Sequence, residues 1–227
     1  MREVRRLSER EPDSSTEIDE TADRQRVCPK CWISATLLLM LGLAILAGSA
    51  AATSLNHPQD QALANRLTFH LTDMATGWRV EPPSKSSGSC KAIKSVKSAT
   101  TAEAETDFSS SPDLASSVVG VLSTHAISKR TYTNIVSNLR SCMVELLAKL
   151  VLSSNAKNPS IGEMSFPHFG DQSKAWSLQV TIQGVNVYID IIVVRIQRAI
   201  AIYLFGGIGS GDSYQEVKLV RKATARA

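Results

Sequence analysis

Hydrophobic and polar positions divide this chain of 227 residues into three regions. Residues 1–30 are polar, with seven Arg or Lys against eight Asp or Glu, and hold too few apolar side chains to offset the entropy of ordering them. An uncharged run follows from Trp32 to Ala52. Beyond it, apolar residues recur first with helical and then with strand periodicity. The pattern predicts a disordered tail, an apolar segment and one folded domain.

The uncharged run predicts a transmembrane signal anchor over residues 32–53. About 20 apolar residues in a helix cross the hydrocarbon layer of a bilayer, and this run has that length. Three basic residues lie between Arg24 and Lys30, whereas no Lys or Arg follows the run before Arg66. This asymmetry predicts a single-pass protein of the cell membrane, with residues 1–30 in the cytoplasm and the C-terminal domain outside.

A cleaved signal peptide is the alternative interpretation of the same run. The stretch Ala47–Ala52 is rich in small residues and offers cleavage sites of the usual kind. The polar segment ahead of the run is about twice the usual length for a signal peptide, which favours the anchor. Both interpretations agree that the domain is exported.

Helical periodicity appears at three places in the exported region. The first helix starts near Asn56 and is expected to end before Asp73. The longest is predicted from about Lys129 to Leu152, since its apolar residues form one continuous stripe. The stripe comprises Tyr132, Ile135, Val136, Leu139, Cys142, Met143, Leu146, Leu147 and Leu150. Ser213-Tyr-Gln-Glu216 has the pattern of a capping box and predicts a final helix.

Strand periodicity appears on both sides of the long helix. Two short strands are expected at 103–109 and 116–124, after a loop over 85–98. The segment 155–159 is interpreted as a breaker, and three further strands follow it at 176–182, 185–195 and 199–205. Short links between neighbouring strands favour antiparallel pairing. We therefore predict an α+β domain, with an antiparallel sheet flanked by helices and preceded by a single N-terminal transmembrane helix.

Composition narrows the classes of function. Hydrophobic residues make up 43% of the chain, enough for a core, whereas aromatics make up 5% and the net charge is +4. Such weak charge and few stacking side chains argue against a nucleic-acid partner. The four histidines lie far apart, and no nucleophile elbow is present. We expect no catalytic residues, no metal site and no cofactor.

The four cysteines form two pairs on opposite sides of the predicted anchor. Cys90 and Cys142 lie in the exported region, where oxidation is expected, so a disulfide between them is predicted, with two buried free thiols as the alternative. The loop that it would close holds about 50 residues and would stabilise the domain by roughly 3–4 kcal/mol. Cys28 and Cys31 form an isolated C-x-x-C, which supplies only half of a zinc site. A pair without a role is the preferred interpretation, with a zinc site shared by two chains or a redox-active dithiol as the alternatives.

Two further features are candidates for ligand binding. Trp78, Trp176 and Tyr188 are the aromatic residues that could line a pocket, although aromatic side chains of this kind are often part of the core. The glycine-rich segment Gly206–Gly211 lacks the Lys-Ser/Thr of a phosphate-binding loop, so a flexible turn is the better interpretation.

The order of short motifs resembles a family of exported sensor-like domains of actinobacteria. These domains occur in membrane-anchored proteins and lipoproteins and as the extracellular part of some receptor Ser/Thr kinases. The motifs are Leu71-Thr-Asp-Met-Ala-Thr-Gly-Trp78, Cys90, Glu105-Thr-Asp-Phe108, Ser117-Val-Val-Gly-Val-Leu-Ser123, Cys142 and Phe169-Gly-Asp-Gln-Ser-Lys-Ala-Trp176. The resemblance implies that residues 58–226 form an antiparallel sheet flanked by helices, with a disulfide and a ligand-binding groove. It implies no catalytic residues. We expect no attached kinase domain and no enzyme in the 30-residue tail.

Two hypotheses follow for the exported domain. The first is a sensor-like domain, anchored in the membrane by residues 32–53, that binds an unidentified small ligand or envelope component without catalysis. The second is a structural or interaction protein that docks a partner protein in the cell envelope. A pocket lined by Trp78, Trp176 or Tyr188 favours the first hypothesis, whereas a flat exposed apolar patch favours the second.

Overall fold

The computed structural model describes residues 57–82, 99–154 and 156–227, which form three helices and one seven-stranded antiparallel sheet. The helices are α1 (Pro58–Leu67), α2 (His125–Ser154) and α3 (Ser213–Thr224). The strands are β1 (Arg79–Glu81), β2 (Thr100–Ser110), β3 (Asp113–Leu122), β4 (Lys157–Glu163), β5 (Gln172–Ile182), β6 (Val185–Ile196) and β7 (Ala199–Ile208). The predicted α+β class with an antiparallel sheet is confirmed.

The sheet has the order β1-β2-β3-β7-β6-β5-β4, and every neighbouring pair is antiparallel. Helix α2 connects β3, in the interior of the sheet, to β4 at its edge. The chain then returns strand by strand until β7 pairs with β3. We call the end of the sheet at Asp113, Val185 and Ile208 the distal end. The opposite, proximal end includes Leu122 and Ala199, which follow from the same registers.

The two faces of the sheet carry separate hydrophobic cores. Helix α2 covers one face, where Leu139 and Met143 belong to the same core as Leu178, Val180 and Ile189. The other face lies under α1 and α3. Strand β7 contributes alternately to both cores, with Ile200, Ile202 and Leu204 on the α2 side and Ala201, Tyr203 and Phe205 on the other. Because both faces are covered, the central strands are apolar almost throughout.

Helix α1 begins at the proximal end of the sheet. Asp60, which is buried, accepts hydrogen bonds from the hydroxyl of Thr101 and the guanidinium of Arg198. Seven residues later the carbonyl of Leu67 accepts a 2.9 Å hydrogen bond from the hydroxyl of Tyr203, in the middle of the sheet. The helix and the segment after it therefore run from the proximal end towards the distal end, along the face that α3 also covers.

Several predicted boundaries are wrong. Helix α1 ends at Leu67, and a separate 3₁₀ turn occupies Leu71–Asp73. The segment interpreted as a breaker contains Pro159, but most of it belongs to β4, which the sequence did not predict. Strand β1 was also not predicted. Both lie at the edges of the sheet, where a strand has one partner and one exposed side, so its hydrophobic pattern is weak.

Several predictions lie outside the described residues. These are the tail 1–30, the anchor 32–53, the loop 85–98 and the cysteines Cys28, Cys31 and Cys90. None of the three helices in the described part of the chain combines the length and the hydropathy that spanning a membrane requires.

Candidate ligand-binding cleft

A cleft of about 360 Å³ lies between α3 and the face of the sheet that α1 and α3 cover. Its floor comes from β3, β6 and β7, and one wall comes from the segment between the 3₁₀ turn and β1. The lining includes three aromatic groups, four carboxyls and two lysines among other side chains: Trp78, Tyr188, Phe205, Asp73, Asp113, Asp212, Glu216, Lys218 and Lys222. A concave site of this size, with polar groups converging on apolar walls, is typical of small-ligand sites.

The cleft brings together two of the three aromatic residues that the sequence suggested. Trp78, which is half-buried, and Tyr188, which is buried, both line it. Trp176 lies elsewhere, because its position on β5 directs it to the opposite face of the sheet, and there it is part of the core beneath α2. The core interpretation therefore applies to Trp176, whereas Trp78 and Tyr188 remain candidates for ligand contact.

A pair of buried carboxyls, Asp190 and Glu216, lies at the distal end of the cleft. Asp190 is on β6 and faces α3, where Glu216 stands in the first turn, and the two side chains are 4% and 3% exposed. If both were ionised, Oδ1 of Asp190 and both carboxyl oxygens of Glu216 would have no hydrogen-bond donor among the described residues. Buried charges without partners are strongly disfavoured, so the pair must hold a proton.

The proton resides on Glu216. Burial, followed by the negative charge of Asp190, raises the pKa of Glu216 to about 8. Burial also raises the pKa of Asp190, but hydrogen bonds from Ser177 and from Glu216 act in the opposite direction. At neutral pH, protonated Glu216 therefore donates a hydrogen bond to ionised Asp190, as expected for two carboxyls that share one site. Ser177 supports this arrangement because it pairs with Asp190 across β5 and β6.

Two glycines let the backbone pass closely over these groups. A Cβ atom added at Gly211 would lie 2.6 Å from Oδ2 of Asp190 and 3.1 Å from Oε1 of Glu216. One added at Gly207 would collide with Oδ1 of Asp113 and lie 3.0 Å from the hydroxyl of Tyr188. The interpretation of residues 206–211 as a flexible turn is therefore wrong in part, because Gly206 and Gly207 belong to β7. Gly207 and Gly211 allow the backbone to pack closely on these side chains.

Negative charge dominates the distal half of the cleft. Burial raises the pKa of the Tyr188 hydroxyl, and the charges of Asp113, Glu216, Asp190 and Asp212 raise it further, so the hydroxyl is a proton donor at neutral pH. Burial also raises the pKa of Asp113. No three or more His, Cys, Asp and Glu side chains in the described ranges are arranged to hold a metal ion.

In the proximal half of the cleft, basic residues in the last turn of α3 and just after it offset the negative charge of Asp73. Nζ of Lys222 donates a 3.0 Å hydrogen bond to the carbonyl of Asp73, and the Arg226 guanidinium lies 3.0 Å from Oδ1 of the same residue. Although burial opposes it, the hydrogen bond from Arg226 helps to hold the pKa of Asp73 below its usual range. Arg226 also donates to the carbonyls of Arg66 and Thr68, which fastens α3 to the end of α1.

The acidic pair was not predicted from the sequence, although one pattern pointed to half of it. Asp190 is the single charged residue in Val185–Val194, and a charge in a strand covered on both faces requires a buried partner. Glu216 was assigned to a capping box with Ser213, which is wrong. The N-cap is Asp212, whose carboxylate accepts hydrogen bonds from the backbone N–H groups of Tyr214 and Gln215. Glu216 is thereby available to point at the sheet.

The structure describes one of the two cysteines of the predicted disulfide. Cys142 is buried on α2 and is disulfide-bonded. Cys90 lies outside the described residues, so the Cys90–Cys142 pairing stays a prediction. Labelling of thiols in the unfolded, unreduced chain would check it, because labelled Cys90 and Cys142 would contradict the pairing.

No protein-family model and no curated protein matches this sequence.

Proposed function

We propose that the chain is a membrane-anchored, extracytoplasmic, sensor-like protein whose folded domain binds a small ligand in this cleft without catalysing a reaction. The observation that carries the proposal is the cleft itself, in which Trp78 and Tyr188 meet buried polar groups in about 360 Å³. Apolar walls supply contact area, and a few fixed polar groups supply selectivity, which is the usual division in small-ligand sites.

The position of the cleft agrees with this function. Helix α1 is the first described element, and it begins at the proximal end of the sheet, where Asp60 contacts Arg198. The cleft reaches the distal end, where Asp113 and Tyr188 lie. If residues 32–53 anchor the chain, the cleft is at the end of the domain opposite the attachment point. A ligand of the cell envelope would then approach without obstruction by the bilayer.

Native mass spectrometry of the full chain, purified from its own membrane, tests the proposal. We expect a small molecule to copurify with the wild-type protein and to be lost from Ala75→Trp, since Ala75 is an exposed residue that lines the cleft. Ala126→Trp is the matched control, because Ala126 is exposed at the start of α2 and is not among the lining residues. Equal retention by both variants would contradict the proposal.

The second candidate function is docking of a partner protein in the envelope. Val185, Ile208 and Tyr214, which are 42%, 43% and 72% exposed, lie close to the distal end of the sheet. Exposed apolar side chains grouped in one region can form part of a protein interface. A protein that copurifies with the full chain and is lost on Tyr214→Ser would favour docking over small-ligand binding.

A further inference from the structure

The distal half of the cleft holds more hydrogen-bond acceptors than the described protein can satisfy. Glu216 is 97% buried and lines the cleft, yet neither of its carboxyl oxygens has a donor among the described residues, and Oδ1 of Asp190 also lacks one. One shared proton makes a single hydrogen bond between the two carboxyls, so at least one of these three oxygens is left without a partner. Buried acceptors without donors are rare in folded proteins, and in a cleft they indicate a group that a ligand supplies.

The charges around these acceptors indicate the sign of that group. Asp113 and Asp212 also line the cleft, and both act on Tyr188 together with the buried pair. Of the two lysines that line the cleft, Lys222 lies towards the other half, where its Nζ is bonded to the carbonyl of Asp73. The positive end of the α3 dipole is already offset by the capping carboxylate of Asp212. Negative potential of this kind favours a cation over an anion.

The ring of Tyr188 and the side chain of Trp78 suit an organic cation. Cations bind favourably against aromatic faces, and the methylene groups next to an amine can pack on the same surfaces. The described carboxylates do not form a group suited to a metal ion. An ammonium group also brings three N–H donors, which can satisfy the Glu216 oxygen that the shared proton leaves without a partner and the carboxylates of the cleft.

We propose that the distal half of the cleft binds its ligand through a protonated amine, which lies against Tyr188 and among the carboxyls of Glu216, Asp113 and Asp212. This inference rests on the proposed function and adds the chemical class of the ligand. Carboxyls that would otherwise repel one another are stabilised when the cation binds. The amine thus supplies both the charge and the hydrogen bonds that this region lacks.

Three probes of nearly equal size and high solubility test the inference with the full chain in detergent. They are 4-amino-1-butanol, which is cationic, 1,4-butanediol, which is neutral, and 4-hydroxybutyrate, which is anionic. In NMR titrations we expect the amine to bind at least about tenfold more tightly than the diol and the anion. Equal binding of the amine and the diol, tighter binding of the anion, or no binding of the amine would overturn the inference.

Substitutions of the cleft carboxyls test whether the amine binds in the distal half of the cleft. Asp113→Asn and Asp212→Asn each remove one carboxylate of the cleft while keeping the side-chain size, and Asn can still cap α3, so each is expected to weaken amine binding by about fivefold or more with little effect on the diol. Glu103→Gln is the control, since Glu103 is exposed on β2 and its carbonyl contacts Gln61 at the proximal end. Amine affinity that is unchanged in both cleft variants would overturn the assignment.

The two proposals fail in different ways. A copurifying molecule without an amine, lost from Ala75→Trp, would leave small-ligand binding intact and overturn the amine. If Ala75→Trp still binds both the copurifying molecule and the amine probe, the cleft is the binding site of neither, and both proposals are overturned.

Discussion

The two faces of the sheet differ in the polar groups that they bury. The core beneath α2 includes Trp176, Leu178 and Ile191, and the same face of the sheet also buries the polar pair Ser116 and Asp107 across β2 and β3. The face beneath α1 and α3 has a comparable core at its proximal end and centre, but at the distal end it also buries Asp190 and Glu216. Among the described residues, the α2 face therefore buries a single carboxyl, whereas the distal end of the other face brings two buried carboxyls together at an energetic cost. Such a cost is commonly retained where a ligand binds.

The largest expected effect is a difference in stability between variants of the two tryptophans, Trp176 and Trp78. Trp176→Ala would empty a buried site beneath α2 and is expected to lower the free energy of unfolding by about 3–5 kcal/mol. Trp78→Ala removes a half-buried side chain, so its cost is expected to be about 1 kcal/mol, with loss of ligand binding. Urea denaturation of both variants measures the difference. Equal losses of stability would show that Trp78 is as much part of the core as Trp176.

The packing of α2 on its face is tested by a neighbouring pair of residues. Leu139 is 2% exposed and Arg140 is exposed on the same helix. Leu139→Ala is expected to cost about 2–5 kcal/mol, because it leaves a cavity against the sheet. Arg140→Ala is expected to change stability by less than about 0.5 kcal/mol. Thermal melts compare them, and similar small shifts in both would contradict the packing of α2. The side chains of Leu146, Lys149 and Leu150 lie outside the described residues.

The close passage of the backbone over the acidic pair is tested at Gly211. Gly211→Ala would place a Cβ against Asp190 and is expected to cost about 1–3 kcal/mol through overpacking. Gly162→Ala on β4 is the control, since a Cβ there meets nothing within 4 Å. Chemical denaturation of the two variants gives the comparison. A Gly211→Ala variant as stable as the control would mean that the glycine is not required for packing.

The smallest expected effect concerns pH. The folded-state pKa of Glu216 is raised to about 8 from 4.5, so the unfolded chain binds fewer protons between these values and stability falls as pH rises through that window. Glu216→Gln cannot lose a proton, so its stability should fall less over the same range. At pH 8 the variant is expected to be more stable than the wild type by about 1–2 kcal/mol.

Melting temperatures at pH 5 and pH 8 measure this effect, with Glu103→Gln as the exposed control. A wild-type protein whose stability rises between these values would contradict the assignment of the proton to Glu216. An equal decline in wild type and variant would place the titration on another group.

The sequence by itself predicted most of the α2 face. The stripe along α2 and the alternation in β5 follow from local periodicity, because each element buries one side against the other. The same reasoning placed β2, β3, β6 and β7 correctly to within a few residues. Periodicity could not predict β1 and β4, since edge strands bury too little to produce a pattern, and it misplaced the end of α1.

Which residues form the cleft was decided only by the tertiary structure. Trp78, Tyr188 and Glu216 lie more than 100 residues apart from first to last, and the order of the strands brings them to one end of one face. Whether an aromatic residue lines a cleft or fills a core depends on the face it takes, as Tyr188 and Trp176 show. The pairing of Asp190 with Glu216 also depended on which residue caps α3, because the cap sets the direction in which the next side chains point. Local sequence specifies which residues are buried, whereas the identity of their neighbours is a property of the fold.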